Sequence, residues 1–302
     1  MQVVWDPNVD NDIYSRSVPA GNDHGGIWSP YIVTPAGVAG SRTDIFEKPD
    51  EWTDGRIGVR LQALVGAGLA SLNFLYGRDI NPLYTATPGV PPIFYEVDGT
   101  RLVHLTYDAF FHIRKMIGGM YSRELGFIPR IGGISSPIFR LEWAYFWDST
   151  FANLAGQLET HDDRRIAASL DFALPIRWLN PRQTFKINAQ YYLRNISDME
   201  GGWENRIVGT EGAGPFIQKY NQFSAFTVST NYWASRLTPS LAWTHDWSNE
   251  SYFVKPSIKY TPNAKWAYTL AAGFFGGNML SRGLQIYSHK DFVSFKVQYK
   301  WG

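Results

Sequence analysis

Cysteine is absent from all 302 residues, so no disulfide forms and nothing can mispair on passage through an oxidising compartment. An excess of one charge is absent as well: 28 Lys and Arg against 27 Asp and Glu leave a formal +1. Nucleic-acid binding, which needs a concentrated basic face, is therefore not indicated. No run of about 18 apolar residues exists, which excludes a membrane-spanning helix. That last absence leaves open a span made of strands, in which only alternate residues are apolar. The opening Met1–Pro7 (MQVVWDP) has no basic stretch followed by an apolar core, so it is not a secretory signal.

Aromatic rings are abundant. The chain has 12 Trp, 17 Tyr and 19 Phe, many of them at the ends of alternating segments. From Arg56 onward the sequence alternates with period two. Ile57, Val59, Leu61 and Val65 share one face, Gly58, Arg60 and Gln62 the other, and a turn follows at Gly66–Gly68. Leu72, Phe74 and Tyr76 alternate with Ser71 and Asn73. The same pattern recurs at Val103–Phe111, Phe139–Trp147, Ile166–Phe172, Phe185–Leu193, Phe226–Tyr232, Leu237–Trp243, Val254–Tyr260, Trp266–Phe274 and Val293–Trp301. Met116–Leu125 is less regular because Lys115 disturbs its phase. The pattern predicts roughly ten to twelve strands.

The polar faces separate two architectures. A soluble β-sandwich shows the same alternation, with one wet face per sheet. Yet Arg140 and Glu142, or Lys296, Gln298 and Lys300, suit a wet lumen better than a soluble core. Strands of nine or more residues ending in Tyr or Trp match membrane thickness and interface belts. The expectation is an all-β fold: an antiparallel transmembrane β-barrel of the bacterial outer membrane. It forms one domain over 1–302, with 1–55 mainly a long loop after a strand end and 56–302 supplying the strands. Asp6–Asp54, Gly77–Thr100, Ser149–Arg164, Ile196–Phe223 and Gly276–Lys290 are expected as external loops. Turns at Ser235 and at Thr261–Asn263 are expected on the periplasmic side.

Candidate site residues follow from the faces. Arg60, Arg114, Arg140, Glu142, Arg165, Asp171 and Lys186 are expected as a lumen charge network, since interior charges pair to avoid isolated burial. A pore constriction or a substrate contact is the competing reading. Tyr76, Trp143, Tyr145, Trp147, Tyr191, Trp243, Trp266, Tyr268, Tyr299 and Trp301 are expected at the membrane interfaces. Trp28, Trp52, Trp147, Trp203 and Trp247 lie in segments expected outside the cell, where rings could grip a hydrophobic ligand or a sugar, although such rings are more often interface anchors. Asp6, Asn8, Asp10 and Asp12 alternate like calcium ligands. However, Asn11 and Ser17 stand where the calcium loop needs Gly and Glu, and the segment reads better as a solvated loop. His161, Asp162 and Asp163, and His245 and Asp246, fall short of a metal-ligand set. No cofactor is indicated. The Gly-x-Ser-x-Gly nucleophile pattern is absent, and Gly132–Ser136 (GGISS) does not match it. An enzyme is therefore not expected.

Several stretches, in their order along the chain, resemble the proteobacterial outer-membrane family called domain of unknown function 1302. They are VVWDP (Val3–Pro7), EKPDEWTDGRIGVRLQ (Glu47–Gln62), LNFLYGRDINPLY (Leu72–Tyr84), IGGMYSRELGF (Ile117–Phe127), FRLEWAYF (Phe139–Phe146) and FKVQYKW (Phe295–Trp301). The resemblance implies a signal peptide and several strands ahead of the equivalent of Met1, so the chain is expected to be the C-terminal portion of a longer barrel. A departure is Gly302 after Trp301, where such barrels end on an aromatic residue. The resemblance also implies an envelope role: moving small or hydrophobic solutes or lipids with periplasmic and inner-membrane partners, in contact with outer-membrane lipid and lipopolysaccharide. A porin-like channel and a scaffold of an envelope complex are the two functions expected.

Overall fold

The computed structural model describes residues 1–6, 39–46, 55–79, 83–86, 89–91, 93–97, 100–126, 136–153, 158–199, 207–208, 216–278, 283–287 and 290–301. The protein is all-β, and its helical content among these residues is one 3-10 turn, Gly283–Tyr287. The strands are β1 (Gln2–Asp6), β2 (Ala39–Phe46), β3 (Arg56–Val65), β4 (Gly68–Arg78), β5 (Leu83–Ala86), β6 (Ile93–Val97), β7 (Thr100–Phe110), β8 (Ile113–Glu124) and β9 (Ile138–Asn153). They continue with β10 (Leu158–Leu174), β11 (Phe185–Ile196), the two-residue β12 (Ile207–Val208) and β13 (Phe216–Ile217), β14 (Tyr220–Ser229), β15 (Leu237–Asp246), β16 (Ser251–Tyr260), β17 (Trp266–Gly277) and β18 (Phe292–Tyr299).

Twelve of them form one antiparallel path, β1-β3-β4-β8-β9-β10-β11-β14-β15-β16-β17-β18, with β12 and β13 attached to β9. The predicted meander is thus present, and β8 belongs to it in unbroken register with β4 and β9 despite its irregular sequence. Lys115 explains the irregularity. It sits on the apolar side at the end of β8 and pairs with Asp148 at 2.9 Å.

The structure corrects several boundaries. Val103–Phe111 alternates like its neighbours, yet β7 is not in the main sheet. It pairs in parallel with β2 and antiparallel with β5 and β6 in a second, four-stranded sheet. The predicted loops Asp6–Asp54 and Gly77–Thr100 therefore contain β2, β5 and β6. Ser149–Arg164 is mostly strand: β9 and β10 extend to Asn153 and from Leu158, with a register shift between His161 and Asp163. Short polar residues there read as loop because they rarely fill strands, but in this hairpin Ser149, Thr150, Thr160 and His161 pair across the ladder and Asp162 sits at the register shift.

The connections sort by end. At one end lie the turn at Gly66 (φ 60°) and the links 125–137, 175–184, 230–236 and 261–265, including the two predicted turns. The three longest links, 7–55, 79–112 and 197–219, lie at the other end. The first two of these supply the second sheet, whose β5 touches β9. The ends are called here the turn end and the loop end.

Burial is inverted with respect to a soluble domain. Three of the four largest fully buried side chains, Asp163, Asp246 and Ser251, are polar; the fourth is Ile196. The apolar face of the main sheet is open instead: Leu61, Phe74, Trp143, Ile166, Leu241, Ile258, Leu270 and Phe295 are all exposed. The apolar core among the described residues is small, a cluster of Phe151, Ile196 and Met199 near the loop end.

Candidate functional site

Period two places every second residue of the main sheet on one polar face. Register aligns Arg60 with Asn73, Met120 with Glu142, Glu142 with Ala167, Arg140 with Ser169, and Asp171 with Asn188. Over β8–β11 part of the charge on this face is paired locally. Arg140 pairs with Asp171, which also accepts a hydrogen bond from Asn188; Gln190 donates to Asn188 at 2.8 Å.

Toward the loop end, Asp163 anchors a denser group. Arg194 donates to its carboxylate from Nε at 3.0 Å and from Nη2 at 2.6 Å, and Arg165 donates from Nη2 at 2.7 Å. Planar guanidinium forks suit this convergent pairing, and Asp163 itself is 1 % exposed. Arg165 and Arg114 both lie over the Phe146 ring, 4.6 and 4.9 Å from its centroid, and Arg194 lies over Phe151 at 5.7 Å. Arg114 in turn reaches Asp79 at 2.7 Å. The group thus runs from β4 to β11 as alternating charges and rings.

The predicted network is therefore distributed over separate pairs. Arg140 and Asp171 are brought together; Arg165 and Arg114 instead meet Asp163 and Asp79, and Phe146 links them. Glu142 shares the face with Arg140 but is exposed, and Lys186 is exposed near the turn end. Arg60 has its Nε buried with no hydrogen-bond partner among the described residues. Two adjoining clefts, of about 350 and 390 Å³, open on the polar face, and Glu142 and Tyr192 line both. Arg60, Asn73 and Arg165 border the first; Arg140, Ser169 and Gln190 border the second.

The predicted interface rings fall into three groups. Trp266, Tyr268, Tyr299 and Trp301 cluster at the turn end, with ring centroids 4.7 Å apart for Trp266 and Tyr299 and 4.8 Å for Tyr299 and Trp301. Tyr76, Tyr145 and Trp147 lie toward the loop end, where Tyr145 donates its hydroxyl to Asp162. Trp247 is there too, 4.3 Å from His245. Trp143, Tyr191 and Trp243 sit near mid-strand. Trp143 lies against its register partner Gly119, where an added Cβ would come within 2.7 Å of Trp143 Nε1. Glycine there admits the close approach of the ring.

The remaining candidates are placed as follows. Asp6 ends β1, while Asn8, Asp10 and Asp12 lie outside the described residues, as do Trp28, Trp52 and Trp203. His161, Asp162 and Asp163 are in β10, not in a loop. His161 meets Glu159 at 3.2 Å, and among the described residues no three His, Asp or Glu side chains gather as a metal site. Asp246 caps the β15–β16 turn, accepting from the amides of Ser248 and Asn249 at 3.1 Å. Next to it, the 3-10 turn docks through the Leu284 amide, which donates to Ser251 Oγ at 2.8 Å. Burial raises the Tyr287 phenol above its ordinary pKa.

Sequence reasoning placed Asp163 inside a predicted loop, weighed only with His161 and Asp162 for a metal, and missed Arg194, which follows the Phe185–Leu193 alternation. It also missed Asn180, 2 % exposed, which ties two turns together by donating to Thr230 Oγ1 and to the Asn231 carbonyl, both at 2.9 Å. The Asn-Pro dipeptide at Asn180 and Pro181 is the turn signal that could have found it. No protein-family model matches the chain, and comparison with curated proteins finds no match.

Proposed function

We propose that the chain is a transmembrane β-barrel of the bacterial outer membrane that acts as a porin-like channel or transport component for small or hydrophobic solutes. The observation that carries this reading is the pairing of an exposed apolar face with a polar, charge-bearing one across the main sheet. In water, contiguous exposure of Leu61, Phe74, Ile166, Ile258, Leu270 and Phe295 would be an aggregation surface. Against acyl chains it is matched, and rings at both strand ends suit the headgroup zones. Strand lengths agree: β3, β14, β15 and β16 have 10 residues each, and a tilted strand needs about 9–11 to cross.

A membrane sheet needs both edges satisfied, because open backbone groups are costly in lipid. β1 and β18 are the ends of the path. Along an antiparallel path of twelve strands the first and last run in opposite directions, so they can close on each other or on further strands. Heat-modifiability tests closure: the folded chain in detergent should migrate differently from the boiled one. Ion conductance in a planar bilayer then tests the channel. A folded barrel that never conducts would overturn the channel form.

The second reading, a scaffold of an envelope complex, is favoured by the Asp163 group, which fills the loop-end side of the polar face with mutually satisfied charges and rings. It predicts stable co-purification with a periplasmic or inner-membrane protein and no solute passage.

A further inference from the structure

The polar face is not electrically uniform. Over β4–β11 its arginines meet Asp79, Asp163 and Asp171. Over β15–β18 the face carries Thr238, Ser240, Ser257, Thr269, Ser294 and Gln298 between Lys255, Lys259 and Lys296. The carboxylate on this stretch is Asp246, at the loop-end limit, fully buried and already accepting from the Asn249 side chain at 2.8 Å. All three lysines are exposed and make no ion pair among the described residues. From this geometry we infer that the β15–β18 wall is an anion-selecting surface, which binds small anionic solutes in transit. The inference rests on the channel reading and specifies its substrate class.

Register sets the spacing. Lys259 is opposite Thr269, and Thr269 is opposite Lys296. With neighbouring strands about 4.8 Å apart, the two lysine backbones are roughly 10 Å apart across the row. Lys255, four residues back along β16, is about 14 Å from Lys259. Both separations are within about twice the Debye length of a physiological solution, so the fields of the three ammonium groups overlap. Hydroxyls fill the space between them: Ser240 Oγ and Ser257 Oγ are 2.7 Å apart in the next row, and Ser294 is opposite Ala271. Donors without carboxylates are the chemistry that draws anions to a pore wall and releases them again. The lysine on the opposite face, Lys115, is neutralised by Asp148 at 2.9 Å and contributes nothing to this wall.

Two measurements test the inference together. The first is the reversal potential of the chain in a planar bilayer under a potassium chloride gradient, for the unmodified protein and for the combined variant Lys255→Gln, Lys259→Gln, Lys296→Gln. The second is the line width of the chloride NMR signal with the same folded proteins in detergent, which reports binding whether or not the barrel conducts. The expected result is a preference for chloride over potassium of about threefold or more, most of it lost in the triple variant and kept in Lys115→Gln. Chloride broadening should fall in parallel. Broadening without conductance, abolished by the triple variant, would leave the anion surface standing while removing the channel reading. Cation preference in the unmodified protein, a triple variant with unchanged selectivity, or no broadening dependent on the three lysines would overturn the inference. Unchanged heat-modifiability of the variant excludes misfolding as the cause.

Discussion

Arg194 and Asp163 form a two-pronged ion pair inside the loop-end half of the sheet, with Nε and Nη2 both within 3.0 Å of the carboxylate. Their side chains are 7 and 1 % exposed. Removing one member of a buried pair leaves the other as an uncompensated charge. Arg194→Ala is therefore expected to cost about 3 kcal/mol of folding stability. Arg165 is the more exposed partner, at 19 %, and its removal leaves Arg194 in place; Arg165→Ala should cost about 1 kcal/mol. Denaturant unfolding in phospholipid vesicles measures both. Equal losses would show that Asp163 is not held mainly by Arg194.

Leu270 offers a direct test of what covers the apolar face. It lies mid-strand in β17, opposite Ile258 and Phe295, and is 52 % exposed. On a water-facing surface, Leu270→Arg should change stability by no more than about 0.5 kcal/mol. On a lipid-facing one the cost is about 2–4 kcal/mol near the midplane. Unfolding from vesicles distinguishes the two, and a neutral result would remove the membrane reading.

Tyr287 predicts the response to alkali. Its phenol is raised by burial, and its ring packs 5.5 Å from Phe275. A folded pKa above the unfolded one means that the neutral form is favoured by folding. That stabilisation is fully present below the ordinary phenol pKa and is lost as pH rises through the raised value. The docking of the 3-10 turn should therefore loosen in alkali and not in acid. Near-ultraviolet circular dichroism should show an alkaline transition that Tyr287→Phe abolishes. A transition that persists in the variant would assign it elsewhere.

Period two made the faces legible, because a strand with lipid or core on one side and water on the other must alternate. Leu270, Phe295, Arg140 and Lys259 were all placed on their faces by this rule. Partners were not legible, since alternation carries no record of which strand lies alongside. β7 alternates as cleanly as β17 yet pairs in a different sheet. Asp163 shares its parity with Arg165 and Asp171, but it stands in a polar stretch that resembles a loop. Its partner Arg194 is brought near only by the β10–β11 ladder. The network was therefore anticipated as one connected set, whereas register divides it into pairs whose acids, Asp79 and Asp163, alternation alone does not single out. The lysine wall was readable as a polar face; that no carboxylate among the described residues answers its lysines emerged only from the order β15-β16-β17-β18.

The parallel pairing of β2 with β7 sets an order of events. Ala39 lies beside Leu102 and Phe46 beside Ala109, so this ladder joins segments separated by the whole β3–β4 hairpin. That hairpin closes through a turn at Gly66 and Ala67, at small entropic cost, while the parallel ladder has to wait for a far larger loop to close. The β2–β7 ladder is thus expected to form after the β3–β4 hairpin, whereas β6 and β7, joined by a short link, can pair as early as that hairpin does.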